Sequence, residues 1–118
     1  LVGLCVAATN QELDQVILRV DERAAATVMA VSFGYPLAYE KGHEITGLNK
    51  KFGKNTLVFQ AGTRSEKGKV VTSGGRVLCV TAYGKNIPDA VEHSLHALDK
   101  IHFEGIYYRT DIGFEFKN

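Results

Sequence analysis

The stretch from Lys69 to Ala82, K-V-V-T-S-G-G-R-V-L-C-V-T-A, constrains this fold more than any other part of the chain. Val70 and Val71 make one β-rich arm, Val77, Leu78 and Val80 make a second, and Ser73-Gly74-Gly75 sits between them. A glycine pair at such a junction supplies backbone angles that cost other residues dearly, and it lets a ligand approach the main chain. Lys69 precedes the junction and Arg76 follows it directly. Glycine amides beside a cation can seat a phosphate, because amide and guanidinium both donate to its oxygens. Taken alone, the stretch favours the plainer reading of a hairpin with solvent-facing cations.

A chain of 118 residues supports one domain that buries roughly two-thirds of its unfolded surface. With 45% apolar and 23% charged residues the composition is that of an ordinary globular domain. A net charge of +1, with no basic tail or block, argues against general binding to nucleic acid or to a membrane surface. Cys5 and Cys79 each lie in an apolar run and read as small buried hydrophobes in a reducing compartment, not as a disulfide or a metal site. No apolar run reaches the length of a bilayer span, and no signal peptide is visible. The chain opens Leu-Val-Gly-Leu-Cys-Val without an initiator Met or a helix cap, and it reads as cut from something longer.

Leu1 to about Gln11 has helical spacing, and residues 1–13 read as the tail of a preceding or linking helix. Val16–Val20 is expected to be a short strand, Asp21-Glu22-Arg23 a connector and Ala24–Ser32 a buried strand. From Phe33 to Gly53 periodicity vanishes between glycines and Pro36, which predicts a long loop, and long loops are often functional. Tyr35 and Lys41 are its candidate cleft residues, and His43 reads as a solvated loop histidine. Asn55–Ala61 reads as a strand, Gly62–Gly68 as a charged turn, and Lys69–Ala82 as the hairpin. Asn86 is a good N-cap, with Pro88 in the first turn and Asp89 at the capping-box position. Ile87, Ala90, Val91, Leu95, Leu98 and Ile101 then form one buried stripe. His93 and His96 lie on the opposite, solvated face without a third metal ligand. Ile106–Arg109 and Phe114–Phe116 are expected strands, with Arg109 pairing Asp111 structurally. The sum is an α+β domain with five to seven strands in a strongly bent antiparallel sheet and two helices.

Signatures of self-sufficient chemistry are missing: no glycine-rich nucleotide loop, no carboxylate pair for magnesium, no Ser-His-Asp order, no activated cysteine. Four segments in register nonetheless resemble the C-terminal region of the phosphoribosylamine–glycine ligases, a family of ATP-grasp enzymes. They are G-Y-P-x-x-Y-E-K-G-x-E-I-T-G-L (Gly34–Leu48), V-F-x-A-G-T (Val58–Thr63), T-S-G-G-R-V-L-x-V-T-A (Thr72–Ala82) and K-I-H-F-E-G-x-Y-Y-R-x-D-I-G (Lys100–Gly113). The likeness spans about Asp21 to Phe116.

This resemblance implies a barrel-like, strongly bent sheet of the rudiment single-hybrid type, running over 1–118. It implies a cytoplasmic parent enzyme in purine synthesis. That enzyme activates glycine with ATP as an acyl phosphate, and phosphoribosylamine attacks it to give glycinamide ribonucleotide. ATP and magnesium (or manganese) would sit in an ATP-grasp domain outside this chain. The chain alone would bind no cofactor and be catalytically inert, with the ATP-grasp and N-terminal domains as its partners. Related ligases hold the ribose 5-phosphate with a Lys and, seven residues on, an Arg beside a turn. Lys69 and Arg76 match that spacing, so the resemblance turns the preference toward a phosphate site made by Arg76, Lys69, Gly74 and Gly75.

The chain departs from the family pattern in places. Phe33 and Leu37 replace outer glycines, Gln60 replaces a His, and Cys79 replaces a Gly. The Gln60 amide cannot titrate, so no acid–base role is expected there. Two other readings stand beside this one. A biotinyl- or lipoyl-type carrier would need a lysine in a tight turn next to Met, and Met29 is the only Met. A purely structural lobe would only bury surface.

Overall fold

The structure, a computed structural model, describes residues 1–116; the last two residues of the domain expected over 1–118 lie outside the described residues. Among the described residues are two α-helices, α1 (Val2–Thr9) and α2 (Ile87–Leu98). The six strands are β1 (Ala24–Ser32), β2 (Thr56–Gln60), β3 (Thr63–Glu66), β4 (Lys69–Thr72), β5 (Arg76–Gly84) and β6 (Ile106–Tyr107). Four of them form an antiparallel sheet in the order β2-β5-β1-β6, and β3 and β4 form a separate two-stranded ribbon. The α+β class and the antiparallel pairing agree with expectation; the described strands do not close into a barrel.

One face of the larger sheet carries the core. Val28 opposes Val80, Ala30 opposes Leu78 and Ala26 opposes Ala82, and all of these are buried. Residues opposite one another on antiparallel strands share a face, and α2 packs on this one across β1 and β5. Ala90, Val91 and Leu98 are buried as the helical stripe predicts, Ala97 is buried beside them though outside that stripe, and Ile87 and Leu95 are only partly buried. Ser94 lies within the stripe, fully buried, and its hydroxyl donates to the Ala26 carbonyl at 3.0 Å. Phe103, 1% exposed, closes the core below the helix. Burying one such ring contributes about 1.5–3 kcal/mol. At the head of α2 the Asn86 side chain accepts from the Asp89 amide at 2.9 Å, and the Asp89 carboxylate accepts from the Lys85 amide at 2.8 Å.

Several expectations change. Lys69–Ala82 is not a hairpin, because β4 pairs with β3 while β5 pairs with β1 and β2. Ser73-Gly74-Gly75 is instead a corner carrying the chain from one sheet to the other. Gly62–Gly68 is not all turn: Thr63–Glu66 is strand, and the turn is Lys67-Gly68, with φ of 50° and 78°. Positive φ at both central residues matches the twist of a two-residue hairpin. Val16–Val20 is no strand. A 3-10 turn covers Leu13–Gln15, and Ile17 and Val20 stand 85% and 83% exposed without a neighbour to complete a ladder. Phe114–Phe116 is a 3-10 turn, and the strand expected over Ile106–Arg109 shortens to β6. Cys5 is exposed, not buried, since the helix that carries it is itself uncovered.

Candidate phosphate-binding corner

The corner is built by two chain segments crossing at glycines. The Ser73 and Gly74 amides donate to the Gly62 carbonyl at 2.8 and 3.1 Å, and the Gly62 amide returns a bond to the Arg76 carbonyl at 2.8 Å. A side chain on Gly62 would stand 2.8 Å from the Gly74 Cα and 2.6 Å from the Arg76 carbonyl oxygen, so the crossing is possible only between bare backbones. Ser32, buried at the end of β1, locks the corner from the other side. Its amide donates to the Gly75 carbonyl at 2.8 Å and its hydroxyl to the Gly74 carbonyl at 3.2 Å.

Gly74 therefore shapes the corner while its own amide is already engaged. The Gly75 amide makes no hydrogen bond among the described residues, and the Tyr35 ring lies where a Gly75 side chain would be. This brings Tyr35, from the long loop, to the corner. Tyr35 meets Tyr39 edge to face, with centroids 5.9 Å apart, and the Lys41 ammonium lies 5.6 Å from the Tyr39 ring centre. Lys41 is thus one ring removed from the corner.

Arg76 emerges from the corner onto the sheet face opposite α2. A register shift between Ala30 and Val31 pairs Arg76 with Val31, and Val31 also pairs with Tyr107 on β6. Such an irregularity re-aims side chains at a sheet edge. Arg23, Arg64 and Arg109 are each clasped by a carboxylate two residues away, at 2.7, 2.7 and 2.8 Å. Arg76 is exposed and has no carboxylate partner among the described residues. Its planar fork is free to take an anion in two parallel bonds. Lys69 stands apart at the far end of β4, its ammonium 2.7 Å from Glu44. That pair is exposed on both sides and worth little.

Two hollows flank the corner. A groove of about 190 Å³ runs between Tyr35 and Tyr107 over Val31. A cavity of about 540 Å³ lies on the other side of Ser32 and Phe33, lined by Tyr39, Glu40, His43 and Glu104. His43 is not the solvated histidine that its loop position suggests. Its backbone pairs with the buried Thr72, and its ring lies 2.9 Å from Glu40 and 3.5 Å from Glu104. Tyr107 is a further residue that sequence reasoning missed, because only the strand register brings it into one row with Arg76. Thr72 adjoins Ser73 in sequence, and what the sequence hid is its pairing with His43.

Elsewhere the side chains look structural. Arg109 and Asp111 form the expected pair, bonded twice at 2.8 Å. His93 meets the Tyr83 carbonyl at 2.9 Å. Burial pushes the Cys79 thiol above its ordinary pKa, the wrong direction for a nucleophile. Met29 opposes Cys79 in mid-strand, away from the Lys67-Gly68 turn, so the arrangement of a carrier domain is not present here.

Comparison with known proteins agrees with this architecture. The family model described as "Phosphoribosylglycinamide synthetase, C domain" matches residues 25–115. The phosphoribosylamine–glycine ligase of Haemophilus influenzae is 46% identical over 114 residues, covering 97% of this chain and 27% of that protein. The enzyme of the same name from Allochromatium vinosum is 46% identical over 113 residues, covering 96% and 26%. The crystal structure of the phosphoribosylamine–glycine ligase from Thermotoga maritima superposes with a TM-score of 0.71 at 34% identity, over 91% of this chain and 27% of that one. The chain thus spans about a quarter of the length of the curated relatives it matches. The chain belongs to the phosphoribosylglycinamide synthetase C-domain family.

Proposed function

We propose that this chain is the C-terminal lobe of a phosphoribosylamine–glycine ligase. The enzyme joins glycine to 5-phosphoribosylamine, with cleavage of ATP to ADP and phosphate, in purine synthesis. The family match across residues 25–115 carries this reading. The lobe's own task is to complete the substrate cleft and hold the ribose 5-phosphate. Arg76 makes the main contact at a corner shaped by Gly74 and Gly75, Tyr35 and Lys41 line its approach, and Lys69 is the weaker member, its charge answered by Glu44 at the far end of β4.

Among the described residues no group of three or more His, Cys, Asp or Glu could hold a metal ion. ATP and magnesium or manganese would be held by the ATP-grasp domain of the full-length enzyme, which with the N-terminal domain would make up the rest of the polypeptide. Two apolar surfaces support a lobe covered by such domains. α1 exposes Val2 (78%) and Val6 (55%) without a polar face, a pattern that belongs to a buried helix. The sheet face opposite α2 exposes Leu57 and Phe59 beside Met29 and Cys79. No described helix is long and apolar enough to cross a membrane, which is compatible with a cytoplasmic enzyme.

The test is an assay of the full-length protein with ATP, magnesium, glycine and phosphoribosylamine. ADP release that requires both glycine and phosphoribosylamine is the expected result. Release that ignores phosphoribosylamine would overturn the assignment.

A further inference from the structure

Beyond the phosphate, the strand register points to a second recognition element. Arg76, Val31 and Tyr107 form one row across β5, β1 and β6. Neighbouring strands lie about 4.8 Å apart, so the outer two backbones in this row stand about 10 Å apart with their side chains on the same face. The adjacent Tyr108 donates its hydroxyl to Asp99 at 2.8 Å, whereas Tyr107 is 56% exposed. Across the groove from Tyr107 stands Tyr35, held in place by Gly75 and Tyr39. Two tyrosines and an apolar floor thus line the groove, and the register places Arg76 on the same sheet face, outside the groove's own lining.

The groove's size limits what it can take. Its volume of about 190 Å³ falls below the roughly 300 Å³ at which pockets for drug-sized ligands begin. A single small ring fits that limit better than a whole nucleotide. Tyrosine suits a sugar ring, because its rigid face covers the C–H side at small entropic cost while its hydroxyl reaches the sugar's own hydroxyls.

We propose that Tyr35 and Tyr107 hold the pentose ring of the ligand whose phosphate Arg76 binds, with Tyr107 as a positioning residue that sets preference for a pentose phosphate over free phosphate. This rests on the phosphate-holding reading above, and the experiment separates the two. In the full-length enzyme, titration calorimetry measures the affinities of inorganic phosphate and of ribose 5-phosphate. The wild type is expected to prefer ribose 5-phosphate. Tyr107→Ala should weaken ribose 5-phosphate by about 3- to 10-fold and leave inorganic phosphate unchanged, while Tyr107→Phe keeps most of the preference. Arg76→Ala should weaken both ligands. A Tyr107→Ala protein that retains the wild-type preference, or loses both ligands equally, overturns the groove assignment alone when Arg76→Ala still weakens both. A wild type without preference likewise overturns the groove alone, whereas an unchanged Arg76→Ala protein overturns the phosphate reading and the groove with it.

Discussion

Arg76 and Arg23 illustrate how one residue type takes opposite roles through its neighbours. Arg23 is held by the Asp21 carboxylate at 2.7 Å and lies 4.3 Å over the Tyr83 ring, so its charge is already answered. The side-chain hydrogen bond from Arg23, helped by its backbone amide, pushes the Asp21 pKa down to about 2. An unpaired aspartate titrates near 3.9. A folded-state value below the unfolded one means that the pair's contribution is present above about pH 4 and fades as pH falls through about 2. A carboxyl NMR titration should give a midpoint near 2 for Asp21, returning toward about 4 in Arg23→Ala. An unshifted midpoint in the wild type would show that the clasp does not form. Arg76 has no such clasp among the described residues, so its guanidinium is open to an external anion.

Among the elements, α2 was the most legible in sequence and the Lys69–Ala82 stretch the least. The helix announced itself through Asn86, Pro88 and a 3.6-residue stripe, all local signals. Its N-cap should carry about 1 kcal/mol, so Asn86→Ala is expected to lower stability by about that amount in urea denaturation. No change would mean that the cap is redundant. β2 is readable from its T-L-V-F run, whereas alanine-rich β1 fits helix or strand by periodicity and is tipped to strand only by the Thr27-Val28-Met29-Ala30-Val31 cluster before the glycine-and-proline turn. The hairpin reading failed because partner choice is not a local property. Two strands separated by Ser-Gly-Gly are as well suited to a corner as to a turn, and the decision falls to Gly62, whose backbone occupies the crossing. β3 was hidden because Thr63–Glu66 is polar and mostly exposed, leaving no apolar alternation to read. Val16–Val20 erred the other way, with strand-like residues but no strand beside them. At the site, Arg76 and its glycines were visible as a cluster. Tyr107 and His43 were not, because only tertiary register and the Thr72 pairing bring them near.

At the scale of the molecule, the fold separates a finished side from an unfinished one. α2 seals one face of the four-stranded sheet, whereas the opposite face shows Leu57 and Phe59, each about half exposed, with Arg76 at its margin. A phosphate held by Arg76 would lie on the side where the rest of the enzyme is proposed to dock. On that proposal the corner would be one wall of a cleft between domains, not a pocket of its own. The most direct test is to measure KM for phosphoribosylamine and for ATP in the full-length enzyme carrying Arg76→Ala. Loss of a charge-assisted bidentate contact should raise KM for phosphoribosylamine by roughly ten-fold or more while KM for ATP stays close to wild type. Equal changes in both, or none in either, would contradict the account.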